Sequence, residues 1–215
     1  ASTEKSTVEA INANRAALSN EQLTSQDKQL INSLSGTELA ELKNSPEYQE
    51  YAENKTASRR LIKEAEVDYI KADKFQEEAE DQKTLGISLN AMAKGAQGEG
   101  KTKLLGQIEK LNNMIADNET KAIETRAKAT QKEIEALEKK KIADNALASN
   151  SKANQIKAIE KAAIYDNSYL NTALANNAAV AKTSQPELAE NNTSNTTATN
   201  KTTETKAPEL AENNV

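Results

Sequence analysis

The fold is decided by residues 101–148, which read KTKLLGQIEKLNNMIADNETKAIETRAKATQKEIEALEKKKIADNALA and contain no Pro and no Gly after Gly106. The spacing of apolar residues predicts one helix, which at 1.5 Å per residue would extend about 70 Å. A helix of that length does not bury itself in a 215-residue domain, so it must lie against another long helix or a partner. The apolar stripe lapses at Asp117-Asn118, where we expect the helix to bend or break.

A second long helical pattern precedes this stretch. Ser45-Pro46 is a typical start signal, since Ser is a favoured N-cap residue and Pro suits the first helical position. A series of small residues then recurs every seven positions, namely Ala65, Ala72, Ala79 and Gly86. The later stretch carries its own seven-residue series, which is Ile108, Ile115, Ala122, Ala129, Ala136 and Ala143. Seams at this interval favour close packing of two helices.

Three glycines separate the two patterns, at Gly95, Gly98 and Gly100. Each glycine disfavours a helix by about 1 kcal/mol relative to alanine, so the segment 95–100 favours a turn. Two long helices joined by a turn form a helical hairpin. The sequence therefore predicts an elongated all-α protein, of the coiled-coil or helical-repeat kind.

Shorter helical signals flank the hairpin. Residues 1–44 suggest thin helices with a break at Ser19-Asn20, and Ser35 and Glu38 have capping-box spacing before a helix that ends near Asn44. After residues 149–151 a third helix is predicted, with its apolar face formed by Ile156, Ile159, Ala163, Leu170 and Leu174. We therefore divide the chain into short N-terminal helices (1–44), the hairpin with the third helix (45–182) and a tail (183–215).

The tail is polar and rich in Thr and Asn, a composition typical of a disordered or extended segment. It contains the sequence PELAENN twice, at residues 186–192 and 208–214. Leu188 and Leu210 are the large apolar residues of the two copies, so we expect them to dock on a partner at two equivalent places.

Composition excludes several classes of function. The chain has no Cys and no His, which removes thiolate nucleophiles, imidazole bases and the commonest zinc ligands. A net charge of −5 provides no basic footprint for nucleic acid. No apolar run approaches the roughly 20 residues that span a bilayer. We therefore expect no enzyme, no cofactor and no membrane span. Because aromatics are 3% of the residues and much of the apolar content is alanine, we expect no thick globular core.

Four aromatic residues are candidate partner contacts: Tyr69, Phe75, Tyr165 and Tyr169. At helical spacing such residues more often belong to the core, by about three to one. The run Lys139–Lys141 could contact phosphate or lipid headgroups, but the glutamates before it make a solvated helix face the favoured interpretation.

One motif supports a different class of function. Gly95-Ala-Gln-Gly-Glu-Gly100-Lys101-Thr102 satisfies the P-loop pattern of a nucleotide-binding protein. That chemistry needs a strand before the loop and a helix after it, so that backbone amides can hold phosphate. Here the preceding residues continue a helical pattern, so nucleotide binding is kept as the alternative.

The series Ala65, Tyr69, Ala72, Phe75 and Ala79, followed by Leu105-Gly106, resembles tetratricopeptide-type helical repeats. It departs from them where Glu109 replaces the expected Tyr and where Ala72 and Phe75 are three residues apart instead of four. The Asn/Lys/Thr-rich composition also resembles large helical proteins of bacterial secretion or motility machinery in the cell envelope. These resemblances imply a helical-hairpin scaffold that binds other proteins, in a periplasmic or cell-envelope location.

The leading hypothesis is thus a non-enzymatic scaffold or adaptor segment that packs against partner proteins in a larger assembly. Besides nucleotide binding, a self-associating coiled coil remains an alternative, because an exposed seven-residue pattern can also pair with a second copy.

Overall fold

A computed structural model describes residues 2–183, with side-chain exposure given for residues 4–176. These residues fall in the first of two units into which the chain divides, 1–184 and 185–215. All regular structure in the described part is helical, and seven helices follow one another: α1 Ser2–Ser19, α2 Ser25–Asn32, α3 Gly36–Lys43, α4 Pro46–Gly95, α5 Gly98–Leu147, α6 Ala153–Tyr165 and α7 Asn167–Thr183. Leu188, Leu210 and both PELAENN copies lie outside the described residues.

The predicted all-α hairpin is confirmed. Helices α4 and α5 each have 50 residues and pack antiparallel along their length. Both seven-residue series form the contact between them, and the alanines of the two series are fully buried. Ser58 extends the α4 series by one heptad, and its hydroxyl donates a hydrogen bond of 2.9 Å to the carbonyl oxygen of Ala136. Small seam residues allow this close approach, which large side chains would prevent.

The predicted helix starts are confirmed as well. The Ser45 hydroxyl accepts a hydrogen bond from the Tyr48 backbone N–H, with Pro46 in the first turn of α4. Ser35 and Glu38 form the expected capping box at the start of α3. These local signals need no tertiary contact, because each satisfies backbone N–H groups that a helix start leaves unpaired.

The expected bend at Asp117-Asn118 is wrong, since α5 runs without interruption through both residues. Asn118 is buried at a hairpin contact, and its side-chain amide donates a hydrogen bond of 3.1 Å to Oε1 of Gln82. A polar pair across the hairpin replaces the apolar stripe at this level. Because the buried amide is hydrogen-bonded to the facing helix, the stripe lapses without a break in the helix.

The glycine turn is shorter than expected. Only Ala96 and Gln97 lie outside the helices, whereas Gly95 ends α4 and Gly98 and Gly100 belong to α5. Gly98 alone requires its residue type through backbone geometry, since its φ is 61°. Packing of the two arms offsets the low helix propensity of the remaining glycines, so the helices extend almost to the connection.

The predicted third helix is two helices. Asp166 separates α6 from α7 with a non-helical backbone, and its carboxylate accepts a hydrogen bond of 3.1 Å from the Tyr169 N–H. The predicted apolar face is nevertheless buried on both sides of this break, at Ile156, Ile159 and Leu170. The chain changes direction so that both segments reach the same core.

A core of large apolar residues lies at the open end of the hairpin, contrary to the expectation that the chain has none. We call this part the head, formed by α2, α3, α6 and α7 around the start of α4 and the end of α5. Its fully buried large side chains include Ile31, Leu39, Ile156, Ile159 and Leu170. The large apolar side chains are therefore unevenly distributed. Most of those that are buried lie in the head, whereas the buried residues of the hairpin are mostly alanine.

Two glycines of α5 provide a matched test of this description. We expect Gly106→Ala to stabilise the protein by about 0.5–1 kcal/mol, because Gly106 is helical and nothing lies within 4 Å of an added Cβ. Gly98→Ala should instead destabilise it by about 1 kcal/mol, because its positive φ disfavours a side chain. Urea unfolding followed by circular dichroism measures both, and equal effects of the two substitutions would contradict the described hairpin connection.

Candidate interaction surfaces

Helix α1 lies along one edge of the hairpin. This edge is formed by residues of α4 and α5 that follow a seam residue by four positions. Leu18 packs against Leu61 and Ile62, and the Arg15 guanidinium forms an ion pair with the buried Glu133 of α5. The same guanidinium lies 5.8 Å from the centre of the Tyr69 ring. We call this side the α1 edge. The hairpin thus accepts a third helix through a few apolar contacts and one ion pair.

The contact of α1 contains a polar group without a partner. Asn14 is 2% exposed, and neither its amide nitrogen nor its amide oxygen is hydrogen-bonded. A buried unpaired polar group opposes burial by about 1–3 kcal/mol. Helix α1 is therefore held less firmly than its buried apolar residues alone would suggest.

The head is joined to α4 by a buried ion network centred on Arg59. Its guanidinium binds both carboxylate oxygens of Glu160 and donates a 3.0 Å hydrogen bond from Nε to Glu21. The Glu160 side chain is 1% exposed and that of Arg59 11%. Burial lowers the pKa of Arg59, but the hydrogen bonds and charges of Glu160 and Glu21 raise it by more, so the guanidinium stays charged. The pair fixes the position of α6 on the hairpin.

A second polar contact joins α2 to α6. The Asp27 carboxylate accepts hydrogen bonds from the N–H and hydroxyl of Thr24 at 2.9 and 2.8 Å, and Lys161 Nζ lies 3.2 Å away. Burial raises the pKa of Asp27, but the bonds from Thr24 and Lys161 lower it by more, so it lies below its ordinary value of 3.8. The native state therefore binds the proton more weakly than the unfolded chain does.

This shift predicts an acid-dependent loss of stability. Because the native pKa of Asp27 is the lower one, its contribution is complete above pH 3.8 and is lost as pH falls through the native value. The difference in unfolding free energy between the wild type and Asp27→Asn should therefore be constant from pH 5 to 7 and shrink below about pH 4. Urea unfolding over this range measures it, and two parallel curves would contradict the assignment.

The four predicted aromatic contacts lie in two separate places, and each has a partner within the chain. On the hairpin, the Tyr69 hydroxyl lies 3.1 Å from Oγ1 of Thr130, and the Phe75 ring is 5.8 Å from Lys121 Nζ. In the head, the Tyr165 hydroxyl donates to Glu21 and the Tyr169 hydroxyl donates to Asn32. Tyr165 is the most open of the four, at 42% exposure. Their binding of other proteins stays a prediction, as does that of Leu188 and Leu210.

The P-loop-like segment has a different context from a nucleotide site. Helix α4 precedes it, and no strand occurs among residues 2–183. Gly100, Lys101 and Thr102 belong to α5, where the Thr102 hydroxyl donates a 3.4 Å hydrogen bond to the carbonyl of Gly98. Phosphate binding by a P-loop requires an open loop whose backbone amides surround the phosphate. The helical residues 100–102 do not form such a loop.

Three other features to compare with the described part of the chain are a metal site, a membrane span and a phosphate-binding lysine cluster. No group of three acidic side chains there could hold a metal ion. None of its helices is long and apolar enough to cross a bilayer. Within the run Lys139–Lys141, Lys140 pairs with Asp144 at 2.7 Å, as expected for a solvated helix face.

Sequence reasoning missed a set of exposed apolar residues on the hairpin. Between half and three quarters of each side chain is open to solvent: Val67, Ile70, Leu85, Ile87, Met92, Leu105, Met114 and Ile123. The signal was available, because none of the eight falls on a seam position. A single exposed apolar side chain is common, but several of them close together on one side of a helix pair indicate a surface for contact with another molecule.

Comparisons of the chain with protein-family models, with curated proteins and with solved structures found no match.

Proposed function

We propose that this protein is a non-enzymatic scaffold or adaptor segment that packs against partner proteins in a larger assembly. The proposal is based on the distal hairpin, which we define as residues 70–95 of α4 and 98–129 of α5. In its α4 half the buried residues are all seam residues: Ala72, Ala79, Gly86 and Ala93. Within the described part of the chain, the outer sides of both helices therefore stay exposed over about 40 Å of length.

The contact of α1 supports this proposal, because it is a worked example of how the hairpin binds another helix. Leu18 supplies apolar contact and Arg15 supplies an ion pair to Glu133. A partner helix could use the same combination farther along the hairpin, where Ile70 and Ile123 are 58% and 68% exposed. Burying such residues on a partner is favourable by about 25 cal/mol per Å² of apolar surface.

Site-specific photo-crosslinking in the native cell tests the proposal. A benzophenone amino acid at Ile70 or Ile123 should crosslink reproducibly to a small set of proteins, identified by mass spectrometry. Glu41, an exposed residue of the head, is the matched control position. Crosslinking of the same background proteins from all three positions would contradict a partner surface on the hairpin.

The tail enters the proposal as a second binding element, through Leu188 and Leu210 in the two PELAENN copies. Affinity capture with the full chain should recover more of a specific partner than capture with a chain that ends at Thr183. Equal recovery from both would remove the docking role of the tail without affecting that of the hairpin.

Self-association is the second candidate, favoured by the adjacent exposure of Val67 and Ile70 on the outer side of α4. Light scattering after size exclusion, at several concentrations, separates the two functions. A mass that rises with concentration and falls back in Ile70→Ser would assign this surface to a second copy of the chain.

A further inference from the structure

The end of the hairpin has a distinctive surface on the edge opposite α1. Leu85 and Met92 each precede a seam residue of α4, and Met114 precedes one of α5. Lys83 and Glu119 each follow a seam residue by four positions, and their ion pair therefore lies on the α1 edge. Residues that precede a seam residue by one position lie on the other edge of the antiparallel pair, so these three apolar residues share that edge. We call this surface the tip face, formed by Leu85, Met92, Gly100, Lys103, Lys110 and Met114.

The tip face combines apolar side chains with cations. Leu85, Met92 and Met114 are 52%, 59% and 52% exposed. On α5, Lys110 is exposed one turn before Met114, and Lys103 is exposed two turns before Lys110. No carboxylate of the described residues lies within ion-pair distance of either lysine. Glu99 is one turn from Lys103 and lies outside that distance.

Three cations farther along the hairpin each have a carboxylate partner. Arg126 pairs with Asp73 at 2.8 Å, Lys132 pairs with Asp68 at 2.7 Å, and Lys121 pairs with Asp117 at 2.6 Å. Residues 82–116 contain five lysines and two glutamates, a net charge of +3, in a chain whose net charge is −5. Lys83 is paired with Glu119, so the surplus of positive charge at the end of the hairpin comes from four lysines with no ion pair among the described residues: Lys94, Lys101, Lys103 and Lys110.

Gly100 also lies on this face. It is exposed within α5, and none of the described residues lies within 4 Å of an added Cβ. Glycine lowers helix stability relative to alanine, so internal packing gives no reason for it. An exposed glycine allows an external surface to approach the backbone closely.

We propose that the tip face docks on a membrane surface that carries anionic headgroups. The apolar side chains enter the boundary between headgroups and acyl chains, and the two lysines reach back to the phosphates. Anionic lipid is the occupant that neutralises unpaired lysines on an otherwise acidic molecule, and it accepts protruding apolar side chains without a matching groove. The helices lie on the bilayer and do not cross it.

A second copy of the chain fits this face less well. Pairing two tip faces would bring Lys103 and Lys110 against the same lysines of the partner, and like charges brought together oppose association. Docking on lipid goes beyond the scaffold function proposed above: the tip face lies within the distal hairpin, but none of its residues is Ile70 or Ile123, the positions that test the scaffold function.

Co-sedimentation of the full chain with large unilamellar vesicles tests the proposal. The vesicles are phosphatidylcholine alone, or phosphatidylcholine with 30% phosphatidylglycerol. We expect binding to the anionic vesicles, several-fold weaker at 0.5 M than at 0.05 M NaCl, because salt screens the lysine charges. Lys103→Glu with Lys110→Glu should lower the affinity at least tenfold, since each lysine near an anionic surface contributes about fivefold and the two contributions multiply.

Matched variants separate this face from the rest of the surface. Leu85→Ser with Met92→Ser should abolish most of the binding, whereas Val67→Ser with Ile70→Ser, an equally exposed apolar pair, should leave it unchanged. Lys139→Glu with Lys141→Glu controls for lysine charge at another place. Circular dichroism confirms that every variant is helical.

Three results would overturn the proposal: no binding to anionic vesicles, equal binding to both kinds of vesicle, or loss of binding in the control pairs as large as in the tip pairs. A change of mass in light scattering that depends on Leu85 and Met92, in the absence of lipid binding, would also overturn it and assign the face to a second copy.

Discussion

Replacing Glu160 by alanine is expected to destabilise the protein by about 3–5 kcal/mol. The substitution leaves the Arg59 guanidinium in a site where its side chain is 11% exposed, without the carboxylate that binds two of its nitrogens. Breaking a buried ion pair is among the largest single effects on protein stability, and the hydrogen bond that Glu21 still accepts from Arg59 places the expected loss at the lower end of this range. Urea unfolding at neutral pH, followed by circular dichroism, measures the loss.

The neighbouring pair Arg60 and Glu64 is the matched control. It is also an arginine with a glutamate, but its side chains are 70% and 45% exposed. Glu64 also lies 3.6 Å from Lys132 Nζ, but Lys132 keeps its nearer partner Asp68, so Glu64→Ala should change stability by no more than about 0.5 kcal/mol. Similar losses from Glu64→Ala and Glu160→Ala would show that burial does not govern the Arg59 network.

A double substitution separates the net contribution of the pair from the cost of orphaning one partner. Arg59→Met with Glu160→Leu removes both charges, and such replacements are often neutral. We expect it to be less destabilising than Glu160→Ala alone. Glu21 keeps a cation in this variant, because Lys55 lies 3.7 Å from it.

Enlarging a seam alanine is the other substitution with a large expected effect. Ala72→Leu places three additional carbons at a fully buried position where α4 contacts α5. The added volume forces the two helices apart or strains their side chains, which destabilises by about 1–3 kcal/mol and sometimes more. The seam residues Ala122 and Ala129 of α5 are also fully buried, so the seam itself leaves little room for the added atoms.

Ala91→Leu is the control for Ala72→Leu, because Ala91 belongs to the same helix and is exposed. Leucine is nearly as good a helix former as alanine, so this change should be within about 0.5 kcal/mol of neutral. Urea midpoints and hydrogen exchange of the hairpin amides compare the two. Stabilisation by Ala72→Leu would mean that the helices are not in close contact there.

The residues that reasoning from the sequence assigned correctly are those whose signal is local or periodic. Ser35 with Glu38, and Ser45 with Pro46, mark helix starts because they satisfy adjacent backbone groups. Ala72 belongs to a series with a spacing of seven residues, because every seventh residue of a helix lies on nearly the same side. Neither kind of signal depends on the rest of the chain.

The errors arose where a residue has a distant partner. Asn118 suggested a bend, and only its hydrogen bond with Gln82, 36 residues away along the chain, explains why the helix continues. Asp166 carried no signal strong enough to divide a helix, but the head core requires the turn there. Isolated propensities decide such positions weakly, and tertiary contacts override them.

The candidate surfaces show the same division. The exposed residues Leu85, Met92 and Met114 could be recognised as apolar and off the seam, but their common edge depends on the antiparallel register of α4 and α5. Whether Lys103 is paired could not be read from its neighbours, because Glu99 has the right spacing for an ion pair and does not form one. Partner choice among charges is decided in three dimensions.

By itself the sequence determined that this protein is an all-α hairpin, because seven-residue alanine series and capped helix starts act within each helix. Tertiary structure alone decided how the head is held, through Arg59 and Glu160, which are 101 residues apart in the chain. It also decided which edge α1 covers and which edge stays open. The physical reason is that periodicity sets which side of one helix is apolar, whereas burial and ion pairing depend on what another part of the chain brings to it.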